Sequence, residues 1–334
     1  MKKSLLLGLL CLIVVSLITA GGGTEKKGEG TVLGKEFKLG YINSPIGPMH
    51  EAALKFSELL REATQGKYSI KVYPSSQLGN ERELTEAVIL GTVDMTLSGP
   101  TPVSWYIPEY SMVNCPFIYK DLQHYMRVWD GEVGKFINKQ LLEKKGLLVL
   151  DNWYRGPRYL TANKIIKTLD DLKGLKIRVP EAEITLEVWK ILGANPTPIP
   201  FNELYLALQQ GVVGAQENPL EMIQTASLFD VQKYIMNTQH VASHYMLLIS
   251  DKQFKSLPAD VQNALKETAL KAGEYQDKLM IEGEEKILKD LESKGMTFID
   301  MDPKPWKELV LKEIPKRLGS KYKMDIFDTI LKTN

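Results

Sequence analysis

The most constraining feature of this chain is a local pattern that occurs twice. Glu83-Leu84-x-x-Ala87-x-x-x-Gly91-x-Val93 returns as Glu203-Leu204-x-x-Ala207-x-x-x-Gly211-x-Val213. Each copy reads as a helix that closes on glycine, which tolerates the left-handed C-cap, and runs at once into a strand. The first copy belongs to a series of strand 37–42, helix 50–63, strand 68–72, helix 81–90 and strand 93–97. The helix carries Met49, Ala53, Phe56, Leu60 and Ala63 on one stripe, and Tyr68, Ile70 and Val72 alternate as a strand requires. A second series places strands at 147–150, 159–162 and 175–179, helices at 183–192 and 202–210, and a strand at 212–216. Such β-α-β-α-β order predicts mainly parallel sheets covered by helices. Two α/β halves of like construction place a ligand between them, where the carboxyl ends of strands meet.

From Leu257-Pro258-Ala259-Asp260 a helical pattern runs toward Ser293, with Pro258 at its start and Lys, Glu and Gln on its solvent face. It is too long for one half, so the pattern predicts a helix that braces both.

Charge narrows the partners. Lys+Arg number 42 and Asp+Glu 41, and with charged residues at 25% and hydrophobic residues at 44% the chain has a soluble, globular composition. So balanced a chain has no bulk basic field for phosphate backbones, and no nucleic-acid partner is expected. Selectivity for a charged ligand must come from a few placed residues. The N-terminus gives the compartment: Lys2 and Lys3 precede an apolar run from Leu5 to Ile18, and Thr19-Ala20 supplies the small residues of a cleavage site. Residues 1–20 therefore read as a secretory signal, with a mobile tether at 21–34 and a periplasmic mature protein. Ser16-Leu17-Ile18-Thr19-Ala20-Gly21 resembles a lipoprotein cleavage site, but Gly21 stands where the lipid-bearing cysteine belongs.

Catalytic signatures are missing. After the leader one cysteine remains, Cys115 within Met112-Val113-Asn114-Cys115-Pro116-Phe117, a setting that suits a buried small hydrophobe. His240 and His244 are four apart, but no glutamate in His-Glu-x-x-His register accompanies them, so neither metal nor cofactor is expected. There is no nucleophile elbow, no P-loop and no dinucleotide fingerprint.

The middle of the chain carries a more specific signal. Lys173-Gly174-Leu175-Lys176-Ile177-Arg178-Val179-Pro180 is followed by Leu192-Gly193-Ala194-Asn195-Pro196-Thr197-Pro198-Ile199-Pro200-Phe201. Glu203-Leu204-Tyr205-x-Ala207-Leu208-Gln209 and Gln216-Glu217-Asn218-Pro219 come next, with Tyr73-Pro74-Ser75-Ser76-Gln77-Leu78-Gly79 and the Gly156-x-Arg158 step upstream. This series resembles the solute-binding proteins of TRAP transporters, the family of dicarboxylate and sialic-acid receptors. The resemblance implies an α/β, two-lobed, periplasmic-binding-protein-like fold with a ligand cleft between the lobes and a long C-terminal bracing helix. It implies a receptor, not an enzyme, that closes on a small organic acid and delivers it to TRAP membrane permease subunits, and a monomer is expected. In that family the arginine of the Lys-Ile-Arg-Val-Pro strand, here Arg178, pairs with the ligand carboxylate. Its planar fork suits that task; without the resemblance an isolated Arg at a strand end reads first as a structural salt bridge, and the resemblance reverses that order. Arg158 corresponds to a second ligand-facing arginine, Phe201 to an apolar wall and Asn218 to an amide reaching the ligand. Glu81 and Arg82 match ligand-side positions. Glu81 would accept from sugar hydroxyls or simply open its helix, Asn43 offers a donor, and Trp153 would stack on a sugar face or fill the core.

The sequence departs from the family at Gly214-Ala215, where Asp-Gly is usual, and at Leu97-Ser98-Gly99-Pro100, where sialic-acid receptors carry an acid. These readings favour a sugar acid, a hexuronate or aldonate, over a dicarboxylate. The alternatives are another carboxylate, an ABC-importer receptor on the same architecture, or an exported enzyme. The expected partition is lobe I at 35–154 plus about 245–283, lobe II at 155–244 plus about 284–310, and C-terminal helices at 311–334.

Overall fold

The computed structural model describes residues 34–333, so the expected signal peptide at 1–20 and nearly all of the tether at 21–34 lie outside the described residues. Strand β1 (Lys35–Tyr41) leads through α1 (Pro48–Ala63) to β2 (Tyr68–Tyr73), and through α2 (Glu81–Leu90) to β3 (Met95–Ser98). Short helices α3 (Thr101–Tyr106), α4 (Leu122–Asp130) and α5 (Glu132–Lys145) then lead to β4 (Leu147–Ala162). The second series is α6 (Leu169–Leu172), β5 (Lys176–Val179), α7 (Glu183–Ile191), β6 (Asn195–Pro198), α8 (Phe201–Gln209) and β7 (Ala215–Pro219). After it come α9 (Leu220–Thr225), β8 (Tyr234–Met236), β9 (Ala242–Ser250), α10 (Asp251–Lys255), α11 (Ala259–Ser293), β10 (Thr297–Ile299), α12 (Lys304–Leu318) and α13 (Met324–Lys332).

The two series have one topology. β1 lies between β2 and β3 and is parallel to both, while β5 lies between β6 and β7 and is parallel to both. An antiparallel strand flanks the third strand of each trio, β9 beside β3 and β4 beside β7. The repeated sequence pattern forms the same turn in both places. Gly91 and Gly211 adopt φ of 77° and 70°, and the amides of Thr92 and Val212 both return to the alanine carbonyl of the preceding helix, Ala87 and Ala207. Leu84 and Val93 are buried, as are Leu204 and Val213 at the same two positions of the second copy.

β4 was expected as two strands, 147–150 and 159–162, and is one strand of 16 residues. Gly156-Pro157 interrupts the apolar pattern without ending the ladder, because the pairing with β9 absorbs it in register shifts at Val149/Asp151 and at Tyr154/Gly156. Leu147 to Pro157 pairs with β9, and from Arg158 onward the strand pairs with β7. A single strand thus passes from one sheet into the other. Between residues 101 and 145 the polypeptide forms short helices joined by turns, which the alternation of the two series did not announce.

Helix α11 ends at Ser293, as its pattern predicted. Val261, Leu265, Ala269 and Ala272 enter an apolar cluster with Phe37, Leu39 and Leu247 of the first sheet and Phe56 of α1. Toward the other end of the helix, Ile287 and Leu291 join Leu204 of α8, Val213 before β7 and Ile223 of α9 in the second half. The helix therefore buries two separate stretches of one face against two halves of the molecule. Trp306, Val310 and Ile314 of α12 pack in a further cluster with Val188 and Trp189 of α7.

Candidate functional site

The carboxyl ends of the two trios converge on one cavity. Ile42 after β1, Pro100 and Thr101 after β3, Arg178 and Pro180 at the end of β5, and Glu217 and Asn218 of β7 line it. The first residues of α2 and α8, Glu81 and Phe201, stand at equivalent places in the two halves and also line it. This is where an α/β sheet binds ligands, because strand order reverses there and diverging loops leave a crevice. The space among these side chains is about 620 Å³, part of it open to solvent.

Arg178 is 3% exposed and its Nε donates to the Ile199 carbonyl oxygen at 2.8 Å. No other hydrogen bond of its side chain is formed among the described residues. Burial pulls the guanidinium down to about 10, with Glu217 opposing and Arg158 adding to the shift, so it remains charged at neutral pH. Arg158 is held differently. Its Nε and Nη2 donate to the two carboxylate oxygens of Glu217, and Nη2 also reaches the Glu217 carbonyl oxygen at 2.6 Å and Asn218 Oδ1 at 3.2 Å. Glu217 further meets His240 Nε2 at 3.0 Å, and His240 Nδ1 lies 2.9 Å from Thr238 Oγ1. Burial alone would raise the Glu217 carboxyl, but the Arg158 charge and the bonds from His240 and Arg158 hold it down, at about 2. Asn218 is fixed in turn, its Nδ2 donating to Gln216 Oε1 at 2.5 Å and Gln216 Nε2 to Thr161 Oγ1 at 2.9 Å. The Gln-Glu-Asn run of β7 is thus one buried network around Arg158.

Glu81 opens α2 beside Asn80, whose side chain caps the helix. Its carboxylate accepts from Ser98 Oγ at 2.9 Å, from the Gly99 amide at 2.7 Å and from Thr101 Oγ1 at 3.4 Å. It therefore both starts its helix and fastens the loop after β3 to the cavity wall.

Two expected site residues lie elsewhere. Trp153 is fully buried in the core, edge-on to Phe56 at 6.2 Å, with Nε1 donating to the Ala269 carbonyl oxygen of α11. On its stretch of β4 the side chain faces the helix layer, so no sugar can stack on it. Asn43 does not line the cavity either. Its Nδ2 donates to the Tyr245 hydroxyl at 2.6 Å, within a cluster that includes the Glu221 carboxyl. The sequence reading also passed over Arg155, Met222 and Ser243, all of which line the cavity, and did not assign Glu217 a role. His240 and His244 belong to separate buried networks, the second through Tyr125, and no cluster able to hold a metal occurs among the described residues.

The profile of the bacterial extracellular solute-binding proteins, family 7, matches residues 39–317. The chain belongs to this family. It is a TRAP-type solute-binding protein with the two-lobed α/β fold of that class. It is 40% identical over 265 residues to a solute-binding protein of Roseobacter denitrificans, covering 79% of this chain and 81% of the relative. The crystal structure of that Roseobacter TRAP receptor, with bound L-galactonate, superposes with a TM-score of 0.83 over 88% of this chain and 97% of the other, at 36% identity. The 2,3-diketo-L-gulonate-binding periplasmic protein of Escherichia coli is 35% identical over 292 residues, covering 84% of this chain and 89% of its own. A TRAP receptor of Sulfurospirillum deleyianum with bound succinate is 28% identical, with a TM-score of 0.84 over 90% of this chain and 99% of the other. No helix among the described residues is long and apolar enough to cross a membrane.

Proposed function

We propose that this TRAP receptor binds a monocarboxylic sugar acid, an aldonate or hexuronate, in the periplasm and hands it to its membrane permease without chemical change. The observation that carries the reading is Arg178: a buried, charged fork on the cavity wall whose one hydrogen-bond partner among the described residues is a main-chain carbonyl. A carboxylate supplies the two parallel acceptors that a guanidinium is shaped for.

The charge of the wall supports a single carboxylate. Arg155, Arg158 and Arg178 face Glu81 and Glu217, one positive charge in excess. A monoanion neutralises that excess, whereas a dianion leaves a second charge to be compensated in an enclosed site. The ligands named for the Roseobacter and Escherichia relatives, L-galactonate and 2,3-diketo-L-gulonate, belong to the same chemical class. Arg158 and Asn218 complete the clamp from the second side and Phe201 forms its apolar wall, while the passage of β4 between the sheets at Pro157–Arg158 supports, to within a few residues, a division into lobe I at 35–154 plus about 245–283 and lobe II at 155–244 plus about 284–310. The receptor acts as a monomer. Calorimetric titration with L-galactonate, D-glucuronate, D-galacturonate, D-gluconate and succinate tests the reading. Micromolar or tighter binding of at least one sugar acid is expected, and tight binding of succinate with none of the sugar acids would overturn it.

A further inference from the structure

Arg155 is a poorly satisfied charge in the interior. It is 7% exposed and lines the cavity. Its Nη2 meets Met222 Sδ at 2.7 Å, its guanidinium carbon lies 4.8 Å over the Tyr245 ring, and its Nε is buried without a hydrogen-bond partner among the described residues. Among the described residues no carboxylate hydrogen-bonds to it, although the Glu221 carboxyl is close enough to feel its charge. A thioether and the ring and hydroxyl of Tyr245 are weak partners for a group that is never deprotonated, and a buried guanidinium left so is costly.

The backbone aims it. In the pairing with β9, Tyr154 faces His244 and Gly156 faces Ser243, so Arg155 is the extra residue of a bulge. Bulges re-aim a side chain, and here Gly156 adopts φ of 87° to close the irregularity. Space has been cleared as well. A Cβ on Gly99 would stand 2.5 Å from Arg155 Nη1 and 3.3 Å from Glu81 Oε1. A donor and an acceptor therefore flank one small volume beside Gly99.

We propose that Arg155 is the specificity-determining residue for the hydroxyl-bearing end of the ligand, donating to its oxygens while Arg178 holds the carboxylate. The assignment rests on the sugar-acid reading given above. Arg178 stands on the second sheet and Arg155 on the β9-paired stretch of β4, so a ligand clamped by its carboxylate on the first presents its carbon chain to the other. Glu81 beside the same volume repels a second carboxylate and accepts from hydroxyls, so the ligand class is a polyhydroxy monoacid long enough to reach across.

The test compares L-galactonate with L-glycerate, which keeps the 2-hydroxycarboxylate end with the same configuration at C2 and lacks the chain. Arg155→Gln and Arg155→Lys are measured with both acids, galactonate by calorimetry and glycerate by NMR titration, and the unliganded melting curves of both variants verify folding. The Gln variant is expected to lose 30-fold or more in affinity for galactonate and less than 3-fold for glycerate, with the Lys variant between Gln and wild type. Equal losses for both acids make Arg155 a support of the whole cavity and overturn the assignment, as does galactonate binding that survives both substitutions. Wild-type protein that takes no sugar acid overturns the function itself, a result separable from either of these.

Discussion

Arg178 carries its charge into the interior with one main-chain oxygen for company, so its replacement reads directly on ligand affinity. Arg178→Lys keeps the charge but loses the fork, and carboxylate affinity is expected to fall by roughly 2–4 kcal/mol in calorimetry. Binding like wild type would make the residue structural. Glu221 gives a prediction of a different kind. Burial pushes its carboxyl up to about 7 from an ordinary 4.5, against the opposing charge of Arg155 and a bond from Tyr245. Between those values the folded protein keeps a proton that the unfolded chain has released, so stability falls as pH rises from 4.5 through 7, and the full cost stands above 7. Glu221→Gln removes the titration. Its stability relative to wild type is expected to improve by roughly 3 kcal/mol on going from pH 4.5 to 8. Urea titrations at the two pH values check this, and a difference independent of pH would refute it. Arg178, Phe201, Asn218 and Glu81 were legible because they sit inside recognisable runs. Arg155 was not: three residues before Arg158 in a regular strand it would face the other way, and only the bulge restores it to the cavity side. Trp153 misled because nothing in its neighbours reveals which face of β4 meets a helix.

Among the elements, α11 was the plainest in sequence, and its contact with β4 leaves little room. A Cβ on Gly273 would stand 2.2 Å from Asp151 Oδ2 and 2.6 Å from Trp153 Cδ1, so the glycine is what lets the helix lie against the strand. Gly273→Ala raises helix propensity in isolation but forces that contact apart. A net loss of roughly 1–3 kcal/mol is expected in chemical denaturation, and a gain in stability would show that the strand yields freely. At α2 the Asn80 side chain accepts from the Arg82 and Glu83 amides while Glu83 accepts from the Asn80 amide. Asn80→Ala should cost about 1 kcal/mol, and ligand affinity should drop with it, because Glu81 is the next residue. The β-α-β order and the paired turns at Gly91 and Gly211 were readable since they depend on local chemistry. The continuity of β4 was not, because a strand that crosses between sheets is specified by its partners and not by its own pattern.

For the molecule as a whole, the two halves are joined by hydrogen bonds. Trp105 Nε1 of α3 donates to the Glu181 carbonyl oxygen beyond β5 at 2.8 Å near the surface, and the buried Tyr245 hydroxyl reaches Glu221 of α9 at 3.4 Å. A bond that joins the halves at the surface is expected to slow escape of a ligand more than it speeds entry. Trp105→Phe is expected to raise the ligand dissociation rate by about 2- to 10-fold, the worth of one net hydrogen bond, with the association rate nearly unchanged. Stopped-flow measurement distinguishes this from a change confined to association. The bulge in β4 has a consequence for how such receptors diversify. Its extra residue lies between two stretches whose pairing with β9 is in register on either side. Losing that one codon leaves a plain ladder, and gaining it back adds a side chain at the cavity without shifting a neighbour. Ligand choice in this fold can thus change through the length of the gene by three nucleotides, a route that substitution alone does not offer.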